Sequence, residues 1–201
     1  MKGLLIKDCY VLFREARVFL LIVVSFCFIR NPCTQGFAIM YASMLPFTTM
    51  SYDEQSKWDY LAEMMPYGRR DLVLSKYIVG ILATLTVAVL QTFTALALQV
   101  FSPDGPLSDH LAAILLYMCC GLLLMAVDLP ILFKLGSEKG RMVYLLITVL
   151  CAVGVVASVS ADLFLWHLPS NVYPMAGVLL VIIGQMASVR LSVRFYTARR
   201  V

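Results

Sequence analysis

Residues 72–101 read LVLSKYIVGILATLTVAVLQTFTALALQVF, with one charge, Lys76, in the whole stretch. As a helix at 1.5 Å per residue this run is about 45 Å long. The hydrocarbon core of a bilayer is roughly 30 Å thick. The run therefore predicts a transmembrane helix, overlong by several residues. Ser102-Pro103-Asp104-Gly105-Pro106 ends it, because two prolines and a glycine cannot continue a helix.

Toward the C-terminus, further spans are expected over 111–133, 142–161 and 173–189, with a short loop holding Pro169 before the last. Toward the N-terminus, 18–29 and 36–50 form a hairpin of short spans turning at Asn31-Pro32. The first reaches span length only if Arg17 and Arg30 snorkel to the two interfaces. No small-x-small cleavage site follows it, so it is expected to be retained rather than removed as a signal peptide. Composition agrees: 61% of the 201 residues are hydrophobic and 14% charged, against about 25% charged in soluble domains. Mean hydropathy is +0.87. No polar stretch is long enough for a separate soluble unit, so residues 1–201 read as one membrane domain.

The net charge of +4 is a matter of topology rather than of nucleic-acid binding. Lys2, Lys7, Arg14 and Arg17 precede span one, and Lys57, Arg69, Arg70 and Lys76 follow span two. Lys134, Lys139 and Arg141 follow span four, and Arg190, Arg194, Arg199 and Arg200 close the chain. Only Arg30 falls on the other side. Basic residues collect on the cytoplasmic side. The expected architecture is all-α, with six transmembrane helices and both termini cytoplasmic.

Two cytoplasmic segments are more than connectors. In 1–17, Leu5, Cys9, Leu12, Phe13 and Ala16 share a helical face, away from Lys7, Asp8, Arg14 and Glu15. This fits an interfacial helix on the inner leaflet, or an early start to span one. In 51–66, Ser51-Tyr52-Asp53-Glu54 has the form of a capping box. Asp53 and Lys57 make an i, i+4 pair, and Trp58, Leu61, Ala62 and Met65 recur at helical spacing before Pro66 stops the helix. Such a helix lies on lipid or docks a cytoplasmic partner.

Catalytic and metal chemistry find little support. The chain has no phosphate-binding GxxxxGK[ST] loop, no HExxH and no GxSxG. The cysteines Cys9, Cys27, Cys33, Cys119, Cys120 and Cys151 lack CxxC spacing, and most sit in apolar runs as small hydrophobes. Cys27 and Cys33 could approach each other at the outer face, but the intervening Pro32 argues against a disulfide. Asp128 is the one acid well inside a span. An ionised Asp at mid-membrane costs on the order of 3 kcal/mol on insertion scales. It is either a pathway or gating residue, or an acid paired with Lys134, Arg141 or a helix terminus. Pro130 beside it is expected to kink the helix. Gln91 and Gln99 read as interhelical hydrogen-bonding residues.

The opening Met1-Lys2-Gly3-Leu4-Leu5-Ile6-Lys7-Asp8 resembles that of small ATP-binding-cassette type 2 permeases. So does Tyr41-Ala42-Ser43-Met44-Leu45-Pro46-Phe47-Thr48-Thr49-Met50-Ser51-Tyr52-Asp53-Glu54-Gln55-Ser56-Lys57-Trp58-Asp59, the most specific part. Residues 66–77 and 130–141 continue the likeness over essentially the whole chain. Within that family it is similar to permeases exporting phenol-soluble modulins and other amphipathic peptides. The resemblance implies a bacterial cell-membrane subunit that pairs with a second permease chain, the same or a sister. It implies two copies of a separate cytoplasmic ATPase, which would carry ATP and Mg; no cofactor is expected on this chain. Asp53, Glu54, Lys57, Trp58, Leu61 and Met65 would then lie on the coupling helix that docks the ATPase. Residues 1–17 would be the elbow, and Glu138, Lys139 and Arg141 a second contact. The leading function is the permease subunit of an ATP-driven exporter. A non-transporting scaffold or immunity protein is the alternative from another class. An intramembrane enzyme would need a polar cluster within the spans, where only Asp128 stands.

Overall fold

In a computed structural model of the chain, the described residues are 2–15, 17–29, 32–65, 68–101, 107–136, 140, 142–143, 145–150 and 172–198. They contain eight complete helices and no strand. These are α1 (Lys2–Glu15), α2 (Arg17–Phe28), α3 (Pro32–Ser43), α4 (Leu45–Gln55), α5 (Trp58–Met64), α6 (Arg69–Phe101), α7 (Leu107–Leu135) and α8 (Val172–Ala198). Residues 142–143 and 145–150 are helical too; most of the fifth expected span lies outside the described residues.

Among the described residues, three helices are long and apolar enough to cross a membrane: Arg70–Ala97, His110–Leu135 and Gly177–Thr197. The N-terminal hairpin lies along α6. α2 has Cys27 at its far end, where the Cys27 carbonyl accepts from Thr94 on α6. α3 then turns back, with Gln91 donating to the Gln35 carbonyl. α4 finishes beside the start of α6, where Asp53 meets Lys76. From Lys76 to Thr94 is about 27 Å of helix, close to the roughly 30 Å of hydrocarbon. Gln91 is thus the interhelical hydrogen-bonding residue its sequence suggested.

The expected second span is two helices rather than one. α3 stops at Ser43, and α4 restarts at Leu45 with Pro46 in its first turn. Proline has no N–H to continue the ladder, so the helix breaks ahead of it. Met44 bridges the break by donating to the Tyr41 carbonyl and accepting from Phe47. Pro130, by contrast, lies inside α7, which runs on to Leu135. α7 ends at Gly136, whose φ of 82° is the left-handed C-cap conformation that glycine adopts without steric cost. Its N–H donates to the Leu132 carbonyl.

α6 is the hub, packing on α1, α2, α3, α4, α7 and α8. α7 and α8 share the broadest interface. They run parallel, since Gln185 donates to the Leu122 carbonyl and Phe133 meets Tyr196 edge-on at 5.7 Å. A larger core of Met50, Val73, Tyr77, Met125, Leu129 and Phe133 joins α4, α6 and α7, and Tyr196 extends it to α8. A smaller one of Val23, Cys27, Ile39, Ala42 and Val87 sits under the N-terminal hairpin, with Ile114. Cys27 is a free thiol there, donating to the Val23 carbonyl, so it forms no disulfide with Cys33. The outer faces remain apolar: Leu179, Leu180, Ile182, Ile183 and Met186 on α8 are all exposed. In water such a surface would drive association; in lipid it is solvated.

Candidate functional site

One end of the bundle gathers α1, α4, α5, the start of α6 and the ends of α7 and α8. Its centre is a group of four charges. Lys76 Nζ, on α6, donates to Asp8 Oδ1 at 2.8 Å and to Asp53 Oδ2 at 2.6 Å. Lys7 Nζ donates to Asp53 Oδ1 at 2.6 Å and lies 3.1 Å from Asp8 Oδ1. Thr49 Oγ1 accepts a further bond from Lys76 at 3.3 Å. The residues are largely or wholly buried, Asp8 at 1% exposure. Two cations and two anions alternate, so the cluster is neutral as a whole. Each buried charge has partners, the condition under which charges are tolerated away from water. The clasp ties three helices that are far apart in sequence.

On α1, Leu4, Asp8 and Leu12 are buried, so Asp8 does not lie on an outer polar face, while Cys9 and Phe13 are exposed. Asp8 points inward because Lys76 waits there. Nothing in residues 1–17 signals this. The usable signal is Lys76 itself, a lone cation just inside an apolar run, which sequence reasoning took for a topology charge.

The region of the expected coupling helix also divides differently. α4 continues through Ser51 to Gln55, so Ser51 lies inside a helix and caps nothing. The chain turns at Ser56 and Lys57, and α5 starts at Trp58. Lys57 has φ 51° and is the N-cap residue of α5, making no side-chain cap bond. Asp53 faces Lys7 and Lys76 instead of Lys57. Trp58 turns inward, with Lys7 Nζ 4.5 Å from its ring centroid and its Nε1 buried without a hydrogen-bond partner. Together with Asp53, Glu54, Leu72, Lys76 and Phe133 it lines a cavity of about 40 Å³. Leu61 and Met65 stay exposed, at 51% and 40%, and Met64 is 85% exposed. The expected docking residues thus separate: Asp53 and Trp58 brace the helix from within, Lys57, Leu61 and Met65 face out, and Glu54 is half-buried between. Glu138, Lys139 and Arg141 lie outside the described residues.

Asp128 sits on α7 facing the α3–α4 break. It lines a small cavity with Ser43, Met44, Phe47, Leu129 and Leu132. Both carboxylate oxygens are buried without a hydrogen-bond partner. Lys134, an expected partner, lies over the Phe195 ring at 5.4 Å. Among the described residues, no group of three or more His, Cys, Asp or Glu side chains is placed to hold a metal ion.

A hub helix, apolar outer faces and a short helix between α4 and α6 describe a helical membrane subunit. The family model described as ABC-2 family transporter protein matches residues 3–197. The chain belongs to that family. Comparison with curated proteins and with solved structures gave no match. As an ABC-2 permease it is a multi-pass membrane transport subunit, and the family associates with an ABC ATPase.

Proposed function

We propose that this permease is the transmembrane subunit of an ATP-driven exporter, moving amphipathic peptides or similar apolar cargo out of the cell. It would act as a pair of permease chains with two ATPase copies, the ATP and Mg residing on the ATPase. The observation that carries the reading is α5. At seven residues it spans about 10 Å and cannot cross a bilayer. It carries Leu61, Met64 and Met65 outward, uncovered by this chain. Behind it, the Lys7–Asp53–Lys76–Asp8 clasp joins α1, α4 and α6, and Lys7 over the Trp58 ring connects α5 to the clasp. A load on α5 is therefore shared at once by the elbow helix and by two membrane helices. Leu61, Met65 and Lys57 form the docking face; Asp53 and Trp58 support it. Glu138, Lys139 and Arg141 supply the second contact by family likeness.

Six spans with cytoplasmic termini accord with this. α7 and α8 finish at the same end of the bundle, so the chain between them has to return to the other end. The apolar run 142–161 is suited to that passage. The clasp end carries most of the basic residues, which favours the cytoplasm.

The deciding test is the ATPase rate of the purified permease with the ATPase encoded beside it, with and without an amphipathic helical peptide. Activity that needs both chains and rises with peptide supports exporter and cargo class together. A wild-type permease that forms no complex would favour a scaffold or immunity protein.

A further inference from the structure

The chain treats its buried acids in two ways. Asp8 and Asp53 each meet both Lys7 and Lys76. Among the described residues, Asp128 meets neither a cation nor a donor. The other residues lining the cavity, Met44, Phe47, Leu129 and Leu132, are apolar. The one hydroxyl present, Ser43 Oγ, donates to the Met40 carbonyl at 2.7 Å. The cavity is about 10 Å³, room for roughly one water.

Among the described residues, the titratable groups on the packed helices named below are committed elsewhere or exposed. On α6, Lys76 is held by Asp8 and Asp53, and Tyr77 shares hydrogen bonds with Ser188 and Ser192. On α8, Arg190 and Arg194 are exposed, and Tyr196 packs on Phe133. On α4, Asp53 belongs to the clasp, Glu54 lines the other cavity and Tyr52 is half-buried. On α3, Tyr41 is exposed and tilts against Phe26. Lys134, on α7 itself, lies over Phe195. An ionised carboxylate in such a place would lose its hydration and gain no partner. Protonated, it is neutral and small enough for the space. A cationic group of cargo would need more room than this conformation leaves.

We propose that Asp128 is a proton-binding site: while the seam between α4 and α7 is closed, its carboxyl group carries a proton. Parting of the seam admits water, the O–H bond breaks, and the proton passes to that water, leaving a carboxylate facing the path. The seam lies at two features able to hinge, the Met44 break and Pro130. Because the closed seam keeps the proton and the open one releases it, acid favours closure and base favours opening. The inference deepens the reading of Asp128 as a gating residue but requires neither the ATPase nor a cargo, so it stands or falls separately from the exporter reading.

The test uses the full permease in lipid nanodiscs, grown with aspartate labelled with carbon-13 at the side-chain carboxyl. Isotope-edited infrared spectra at neutral pH are expected to show the C=O stretch of a protonated aspartic acid. Both Asp128→Asn and Asp128→Glu should remove it from the edited spectrum, the second because the glutamate is unlabelled. Wild-type protein with no such band overturns the proposal, whatever the variants do. A band that survives in a folded variant belongs to another aspartate and overturns it equally.

Discussion

At the scale of single residues, the clasp is where one atom matters most. Removing one member of a buried ion pair strands the rest, at a cost of about 3–5 kcal/mol. Lys76 bonds Asp8, Asp53 and Thr49, so Lys76→Ala leaves two acids to the half-buried Lys7. It should lower the thermal unfolding midpoint in detergent markedly, and Lys76→Arg should recover part of the loss. An unchanged midpoint in the alanine variant would mean the clasp contributes nothing. Lys57 presents the opposite case. Its left-handed backbone costs a side-chain-bearing residue roughly 1–2 kcal/mol. Lys57→Gly is expected to hold stability or raise it by up to about 1 kcal/mol, and a clear loss would show that the lysine side chain has a contact of its own.

Between elements, α4, α6 and α7 approach closely at Gly80. A Cβ there would lie 2.6 Å from Pro46 Cγ on α4 and 2.6 Å from Met125 Sδ on α7. The methionine tip can swing aside, but the proline ring is fixed to its backbone. In an open helix Gly→Ala stabilises by roughly 0.5–1 kcal/mol. At this three-helix contact overpacking of about 1–3 kcal/mol reverses the sign. Gly80→Ala should therefore melt lower than wild type; a higher midpoint would mean that α4 is free to move away. The outward face of α5 behaves differently. Leu61→Ala with Met65→Ala removes exposed side chains, which leaves the fold intact. Because docking energy concentrates in a few apolar anchors, this pair should abolish capture of the neighbouring ATPase without shifting the melting midpoint. Full capture by the double variant would move the docking site elsewhere. Trp58→Ala is a poorer probe, since its ring supports Lys7 from within.

For the molecule as a whole, the expectation is a bundle with both ends on one side. Fluorescent-protein fusions, which fold only in the cytoplasm, should be bright at either terminus. A dark fusion at one terminus alone would remove a span and break the charge assignment that places fifteen basic residues inside.

Much of this was legible in one dimension. The membrane itself, the long helices α6, α7 and α8 and the separate N-terminal helix follow from runs of apolar residues and their breakers, because lipid forces each backbone to satisfy itself within one helix. Such information is local. The family likeness was legible from the segment through Pro46 and Trp58. Tertiary structure alone decided what depends on which helix lies beside which. It turned Asp8 and Asp53 from surface charges into a buried clasp and left Ser51 inside a helix. It split the expected docking residues between an inward-facing set and an exposed one, and it left Asp128 with no hydrogen-bond partner among the described residues. Whether a charge is solvated, paired or stranded depends on atoms distant in sequence, and periodicity along one helix carries no record of them.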